Sequence, residues 1–199
     1  PFEEIITIEK NYATCIENID IGGPAMIRSA AKNHRLVTTI VDPNDYTLLV
    51  EEMKSRKGST SLSFRKKLAM KAFQHTAFYD ATIAGWFSKQ TNVLYPEKLV
   101  IPGKLKSKLR YGENPHQNAA FYETSLGRQS GKAGVQLQGK ELSYNNLNDT
   151  NAAFELVCDL NVPSCAIIKH ANPCGAATAD SAKTAYIRAL SCDPESAFG

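Results

Sequence analysis

The apolar positions of the first sixty residues predict two helices flanking one strand. Ala25–Lys32 follows a Gly-Gly-Pro turn and predicts a helix. Leu36–Val41 is rich in β-branched residues and predicts a strand. A helix with proline in its first turn follows and ends at Gly58, with Leu48, Leu49 and Met53 on its predicted buried face. The strand and the second helix form one α/β unit.

A longer amphipathic helix is predicted from about Ser63 to Ser88, because its apolar residues recur at the helical period. Before it, Phe2–Ile8 suits either a strand or the edge of a helix, and the sequence leaves both open. After it, Thr91–Lys104 is rich in turn formers and lysines, which is typical of a linker. We therefore place a domain boundary near Pro102.

Beyond this boundary the pattern predicts a helix, a buried strand and a second helix. The first helix is predicted over Thr150–Leu160, and the short apolar run Ala166–Ile168 predicts the strand. The last helix starts at Thr178 or Asp180. The glycine-rich stretch 127–139 has neither Walker spacing nor GxGxxG, so we expect a flexible loop or hairpin there.

Lys169 and His170 stand where the predicted strand ends, just before the turn formers Asn172-Pro173. Neighbouring strand residues point to opposite faces, so the backbone must leave the pleat here if both side chains serve one substrate. In parallel sheets, ligands bind at such carboxyl ends. Histidine can take a proton near neutral pH, and an adjacent ammonium can stabilise an anion. A solvated lysine beside a hydrogen-bonded histidine in a loop is the structural alternative.

Three other polar stretches are candidate binding sites. In one loop, Arg110 can bind an anion and Tyr111 can stack on a flat ring, although a polar surface turn fits the same residues equally. Asn146 lies in the polar loop before the predicted helix. The amides that follow Gly22 can hold a phosphate, although the sequence by itself favours an ordinary glycine turn. Lys32 closes the same helix, where the helix dipole alone also favours a cation.

Composition narrows the class of protein. With 43% hydrophobic and 22% charged residues, the chain is typical of a soluble globular protein. Its formal net charge is only +3 with scattered basic residues, which predicts no nucleic-acid partner. No apolar run approaches the length of a membrane span. The five cysteines lack CxxC spacing, so we expect neither a disulfide framework nor a zinc site, and a reducing, cytoplasmic location.

Five motifs together resemble one family, the bifunctional AICAR transformylase/IMP cyclohydrolases of purine biosynthesis. They are Asp20-Ile21-Gly22-Gly23, Arg28–His34, Leu109–Gln117, Tyr144-Asn145-Asn146 and Lys169-His170. The resemblance covers essentially the whole chain, and the motifs occur in the order of the family. It implies an α/β protein in which residues 1–102 end a methylglyoxal-synthase-like parallel-sheet domain, the cyclohydrolase. Residues 103–199 then begin a cytidine-deaminase-like α/β domain, the transformylase.

The resemblance also implies a reaction and roles for residues of the second half. A formyl group passes from 10-formyltetrahydrofolate to the amine of AICAR, giving FAICAR. By matching positions, His170 is the general base and Lys169 stabilises the transition state. Arg110 and Tyr111 match the AICAR-binding loop, and Asn146 matches an active-site loop.

For the first half, the resemblance implies ring closure of FAICAR to IMP. Asp20 and Ile21 match nucleotide-binding positions, and Lys32 matches the acid/base lysine. No metal is expected in either half: Pro173-Cys174 is similar to part of a deaminase zinc motif, but its second cysteine is missing. A homodimer is implied, with no nucleic-acid or membrane partner.

The chain starts at Pro1 and stops at Gly199 without a closing element, so we expect a segment of a longer protein. Neither family active site is complete within it, and we expect the segment made alone to aggregate or to borrow a partner. Two further hypotheses stay open. The segment belongs to a catalytically silent nucleotide-binding or dimerisation module, or to a protein with cyclohydrolase activity alone.

Overall fold

The computed structural model describes residues 2–9, 11–124 and 137–197, so most of the predicted glycine-rich loop at 127–139 lies outside the described residues. The chain divides between Gly103 and Lys104 into two units, called unit 1 and unit 2 below. Unit 1 is helical up to the linker. Unit 2 combines helices with two-stranded sheets. The fold class of the described chain is therefore α/β.

The longest helix organises unit 1. The elements of this unit are α1 (Phe2–Ile8), α2 (Tyr12–Glu17), α3 (Gly22–Lys32), a 3-10 turn (Pro43–Asp45), α4 (Tyr46–Ser55) and α5 (Leu62–Gln90). α5 confirms the predicted long helix, and Ser61 caps it by accepting a hydrogen bond from the Phe64 N–H. Phe2–Ile8, for which the sequence left strand and helix open, forms a helix. Among the described residues, no helix has both the length and the apolar character of a membrane span.

Two clusters pack on α5. In the first, Phe2 of α1, Cys15 of α2 and Trp86 of α5 are buried together. In the second, Ala31 of α3 is buried against the alanines Ala69 and Ala72 of α5. Small side chains at this contact allow the two helices to approach closely. α5 therefore holds α1, α2 and α3 in place.

A charged pair fixes the start of α4 to α5. The Lys71 Nζ lies 2.6 Å from Asp45 Oδ1, and the Asp45 side chain is 5% exposed. A buried carboxylate is tolerated because a cation pairs with it. Nearby, the Arg65 guanidinium of α5 donates to the carbonyl oxygens of His34 and Arg35, each at 2.8 Å. These contacts attach the segments after α3 to α5.

The predicted strand over Leu36–Val41 is wrong. These residues form a turn and an irregular segment, and Leu36 is 92% exposed. A β-branched run forms a strand only when another strand pairs with it, and the described part of unit 1 offers no such partner before Gly103. Of the predicted buried face of α4, Leu48 is 46% exposed and Met53 is 39% exposed, whereas Leu49 is half-buried. α4 ends at Ser55, three residues before Gly58.

Unit 2 begins with one pair of strands and continues with a helix, a hairpin and a helix. Its elements are β1 (Gly103–Leu109), β2 (Ala119–Thr124), α6 (Tyr144–Cys158), β3 (Ser164–Lys169), β4 (Asn172–Thr178) and α7 (Ala182–Leu190). β1 pairs with β2, and β3 pairs with β4. The predicted strand at 166–168 is confirmed within β3, and the predicted last helix is confirmed as α7.

The β3–β4 hairpin forms the centre of unit 2. Its strands are antiparallel, in a register that runs from Ser164 opposite Thr178 to Lys169 opposite Asn172. Both α6 and α7 pack on this hairpin. At Gly175, an added Cβ would lie 2.1 Å from the carbonyl oxygen of Ala189, so only glycine lets α7 come this close. The expectation of a buried strand in a parallel sheet is corrected, because β3 is half-buried and pairs with its own hairpin partner.

α6 starts earlier than predicted. It begins at Tyr144 rather than Thr150, and Asn146 lies in its first turn instead of in the preceding loop. Ser143 and Asn146 exchange hydrogen bonds between side chain and backbone, which forms a capping box. The polar residues that predicted a loop are therefore the residues that start the helix.

Candidate functional site

His170 and Ala171 are the two central residues of the turn that joins β3 to β4. Lys169 pairs with Asn172, which leaves two residues between the strands. Their φ angles are 52° and 58°, both in the left-handed region, as in a type I′ hairpin turn. This conformation costs a residue other than glycine about 1–2 kcal/mol. The backbone thus leaves the pleat at His170, as predicted. The turn formers Asn172-Pro173, which were expected to cause this departure, instead begin β4.

Two side chains hold this turn. The backbone N–H of Ala171 donates to Asp149 Oδ1 at 2.7 Å, and Asp149 belongs to the second turn of α6. Asn172 Nδ2 donates to the carbonyl oxygen of His170 at 2.8 Å. His170 itself is exposed at the tip of the hairpin. The imidazole is therefore open to a substrate, while its backbone is fixed.

Lys169 is half-buried and lies in the same part of unit 2 as Asp193. The pKa of Asp193 is lowered, mainly by hydrogen bonds from Ser196, and the positive charge of Lys169 contributes a smaller part. The Ser196 N–H lies 3.1 Å from Asp193 Oδ1. Sequence reasoning missed Asp193, which follows α7 and has no motif of its own.

Arg110 and Tyr111 form a stacked pair at the end of β1. The guanidinium carbon of Arg110 lies 4.8 Å from the centroid of the Tyr111 ring, and its Nη2 donates to Tyr111 Oη at 3.0 Å. The Arg110 N–H donates to the carbonyl oxygen of Leu142 at 3.1 Å. A stacked guanidinium keeps its planar face and further N–H donors for an anion. The side chains predicted to bind an anion and to stack on a ring thus lie next to each other.

The loop that carries this pair is attached to the start of α6. The Tyr144 N–H donates to the carbonyl oxygen of Tyr111 at 3.1 Å, and Asn145 Nδ2 donates to that of Glu113 at 3.0 Å. Because the positive end of the helix dipole lies here, the first turn of α6 favours negative charge. Asn145 was not predicted, although it lies in the quoted motif.

The first two turns of α6 therefore connect the predicted residues of unit 2. Asn146 in the first turn and Asp149 in the second are three residues apart, which places them on one face of the helix. The loop with Arg110 and Tyr111 attaches before Asn146, and the His170 turn attaches at Asp149. The i, i+3 spacing is the signal that would have identified Asp149, had the helix been extended to Tyr144.

In unit 1, Asp20 shapes the start of α3. Its Oδ1 accepts from the Gly23 N–H at 3.0 Å, and its own N–H donates to Tyr79 Oη at 2.7 Å. A Cβ on Gly23 would lie 2.2 Å from Asp20 Oδ2, so this glycine is needed for the close approach. Ile21 is the N-cap residue before α3 and is 76% exposed.

The predicted residues of unit 1 are not brought together. Asp20 lines a cavity of about 320 Å³ between α1, α3 and α5, whereas neither Ile21 nor Lys32 lines it. Lys32 is exposed at the opposite end of α3, about 15 Å along the axis from the helix start at 1.5 Å per residue. Asp20 and Ile21 thus lie just before α3, and the length of this helix separates them from Lys32.

Within the described ranges, no three histidine, cysteine, aspartate or glutamate residues are grouped as metal ligands would be. All five cysteines are free thiols. Cys174 Sγ donates to the carbonyl oxygen of Ile167 at 3.4 Å, across the β3–β4 hairpin. This thiol is therefore engaged by the backbone of β3.

Comparison with known proteins identifies the family. The family profile described as AICARFT/IMPCHase bienzyme matches residues 30–199. The bifunctional purine biosynthesis protein PurH of Rhizobium rhizogenes is 55% identical over 202 residues, which cover 100% of this chain and 38% of that protein. PurH of Brucella ovis is 55% identical with the same coverage. The chain spans 38% of the length of these relatives. It belongs to the AICARFT/IMPCHase bienzyme family.

Proposed function

We propose that this chain is the central segment of a bifunctional enzyme of purine biosynthesis. The full-length protein transfers a formyl group from 10-formyltetrahydrofolate to AICAR, giving FAICAR, and then closes FAICAR to IMP with loss of water. Family membership supports the pair of activities. The observation that carries the assignment of the first activity to unit 2 is the connection of Arg110, Tyr111 and the His170 turn through α6.

The two activities divide between the two units. Residues 1–102 form the C-terminal part of the cyclohydrolase domain, with a methylglyoxal-synthase-like fold. Residues 103–199 form the N-terminal part of the transformylase domain, with a cytidine-deaminase-like fold. The separation of the chain between Gly103 and Lys104 is consistent with this division.

His170 is the general base and Lys169 stabilises the transition state. The amine of AICAR is conjugated with a carboxamide and is a poor nucleophile, so its attack on the formyl carbon needs a base. His170 accepts the proton of this amine, and its exposed position gives a substrate access. The negative charge that develops on the formyl oxygen is stabilised by the Lys169 ammonium. We propose that neither step requires a metal.

Arg110, Tyr111 and Asn146 bind AICAR. The substrate combines a phosphate with a flat imidazole ring, and a guanidinium stacked on a phenol ring suits both groups. Asn146 presents a side-chain amide at the positive end of α6, although part of its hydrogen-bonding capacity serves the capping box. The loop after β1 thus supplies a charge and a ring face, and the first turn of α6 supplies an amide.

In the cyclohydrolase half, Asp20 and Ile21 bind the nucleotide and Lys32 is the acid/base residue. Asp20 faces a cavity, and Lys32 is exposed at the other end of α3. The remaining walls of this site come from segments beyond the 199 residues, because the relatives are more than twice as long. We further propose a cytoplasmic homodimer that engages neither nucleic acid nor membrane.

The test is an assay of tetrahydrofolate release from 10-formyltetrahydrofolate by the full-length protein that carries this sequence. Release must depend on AICAR. His170→Ala is expected to lower kcat at least about a hundredfold, the lower end of general-base contributions. Absence of AICAR-dependent release from the wild-type protein would contradict the proposal and favour a binding module or a cyclohydrolase alone.

A further inference from the structure

Asp149 joins α6 to the turn that carries His170 by a hydrogen bond, so this aspartate is central to the position of the turn. Its Oδ1 accepts a hydrogen bond from the Ala171 N–H at 2.7 Å. The contact joins residues 22 positions apart and is partly buried. A partly buried bond to a charged acceptor is stronger than one between neutral groups.

The turn needs such a contact because its conformation is unfavourable for its residues. His170 and Ala171 both have positive φ, and neither is a glycine or an asparagine. A chain with these residues prefers other turn conformations unless a tertiary contact selects the left-handed pair. The Asp149 carboxylate supplies this contact from a helix. Without it, the backbone at 170–171 is free to sample conformations that point the imidazole elsewhere.

We propose that Asp149 is a positioning residue that holds His170 in its reactive orientation during formyl transfer. This inference rests on the proposed transformylase function. Asp149 acts through the Ala171 amide and not on the substrate. Because Asn146 lies one turn earlier on the same helix face, α6 also sets the distance between the base and the substrate-binding loop.

The kinetic test compares variants of Asp149 in the full-length protein. Asp149→Ala removes the acceptor and is expected to lower kcat about tenfold, the effect of one lost hydrogen bond of this kind. The KM for AICAR is expected to stay within about twofold, because the Arg110 loop attaches elsewhere on α6. Asp149→Asn keeps an oxygen acceptor and should retain most of kcat. Asp159→Ala, an exposed aspartate after the same helix, is the matched control.

A double-mutant cycle separates positioning from general destabilisation. If Asp149 acts through His170, Asp149→Ala should have little further effect on kcat in a His170→Ala background. A tenfold loss that persists in this background would overturn the proposal. So would an Asp149→Ala variant with kcat within about twofold of the wild type.

A spectroscopic readout does not depend on activity. In protein labelled with carbon-13 at histidine Cε1, the His170 signal is identified by its loss in His170→Ala. Asp149→Ala should shift, broaden or split this signal, whereas Asp149→Asn and Asp159→Ala should leave it in place. An unchanged signal in Asp149→Ala would overturn the inference. Failure of the proposed function would appear separately, as a wild-type protein without AICAR-dependent tetrahydrofolate release.

Discussion

The two units place their predicted site residues in opposite ways. In unit 2, residues that are distant in sequence are connected by hydrogen bonds through the first two turns of α6. In unit 1, Asp20 and Lys32 are only twelve positions apart, yet α3 holds them at opposite ends. A loop or a hairpin turn can bring a residue to a site, whereas a helix keeps its two ends apart. Unit 2 therefore brings its predicted site residues together, and unit 1 does not.

Lys169→Met should produce the largest effect that distinguishes the units. Loss of a charge that stabilises the developing oxyanion is expected to lower kcat for formyl transfer about a hundredfold or more. Cyclohydrolase activity should remain unchanged, because Lys169 belongs to unit 2. Lys183→Met, an exposed lysine on α7, is the control for loss of surface charge. Equal losses in both activities would contradict the division of the sites.

Lys71→Met tests whether unit 1 is stabilised separately. It leaves the Asp45 carboxylate buried without its partner and should cost about 2–3 kcal/mol, below the usual range for buried pairs because Lys71 is partly exposed. Hydrogen exchange in α4 and α5, followed with denaturant, measures this cost. Exposed Lys67 on α5 provides the control variant Lys67→Met. A matching loss of protection in α6 and α7 would contradict independent stabilisation of the units.

Asn145→Ala should weaken the attachment of the Arg110 loop in unit 2. It removes the hydrogen bond to the Glu113 carbonyl, worth about 1 kcal/mol, so the KM for AICAR should rise about fivefold. Steady-state kinetics with Asn151→Ala, an exposed residue of α6, as the control measure this change. If Asn145→Ala changed only kcat and left the KM for AICAR unchanged, Asn145 would have no part in substrate binding.

Glu52→Gln should have the smallest effect, confined to the junction between α4 and α5. Hydrogen bonds from Ser61, with a smaller contribution from Arg56, lower the pKa of Glu52 below its ordinary 4.5. A lowered carboxyl pKa stabilises the fold above pH 4.5, and this stabilisation is lost as pH falls through the lowered value. At pH 7, the backbone amide hydrogens at the start of α5 should therefore exchange faster in Glu52→Gln than in the wild type. If the difference in exchange rate between wild type and variant did not shrink below pH 4.5, the lowered pKa of Glu52 could not be its cause.

Periodicity was sufficient where a segment carries its own folding signal. The apolar repeat over 63–88 predicts α5 within two residues at each end. Leu36–Val41 has the composition of a strand but no strand beside it among the described residues of unit 1, and composition cannot supply a partner. Asn146 looks like a loop residue because asparagine is common in turns. In the structure, its side chain closes the capping box with Ser143.

For unit 2, the sequence predicts which residues are candidates for the site but not how they are arranged. The motifs name Arg110, Tyr111 and His170, whereas the positive φ angles of the turn depend on a tertiary bond to Asp149. No local signal at Ala171 indicates that conformation, since alanine disfavours it. The start of α6 holds both the Arg110 loop and the His170 turn. The sequence did not show this arrangement, because it did not predict that the helix begins as early as Tyr144.

The most direct test is to measure both activities of the full-length protein in the variants His170→Ala and Lys32→Ala. His170→Ala should lose formyl transfer at least about a hundredfold and keep ring closure of FAICAR. Lys32→Ala should show the reverse, with ring closure lost and formyl transfer retained. Loss of both activities in either variant, or retention of formyl transfer in His170→Ala, would contradict the assignment of one site to each unit.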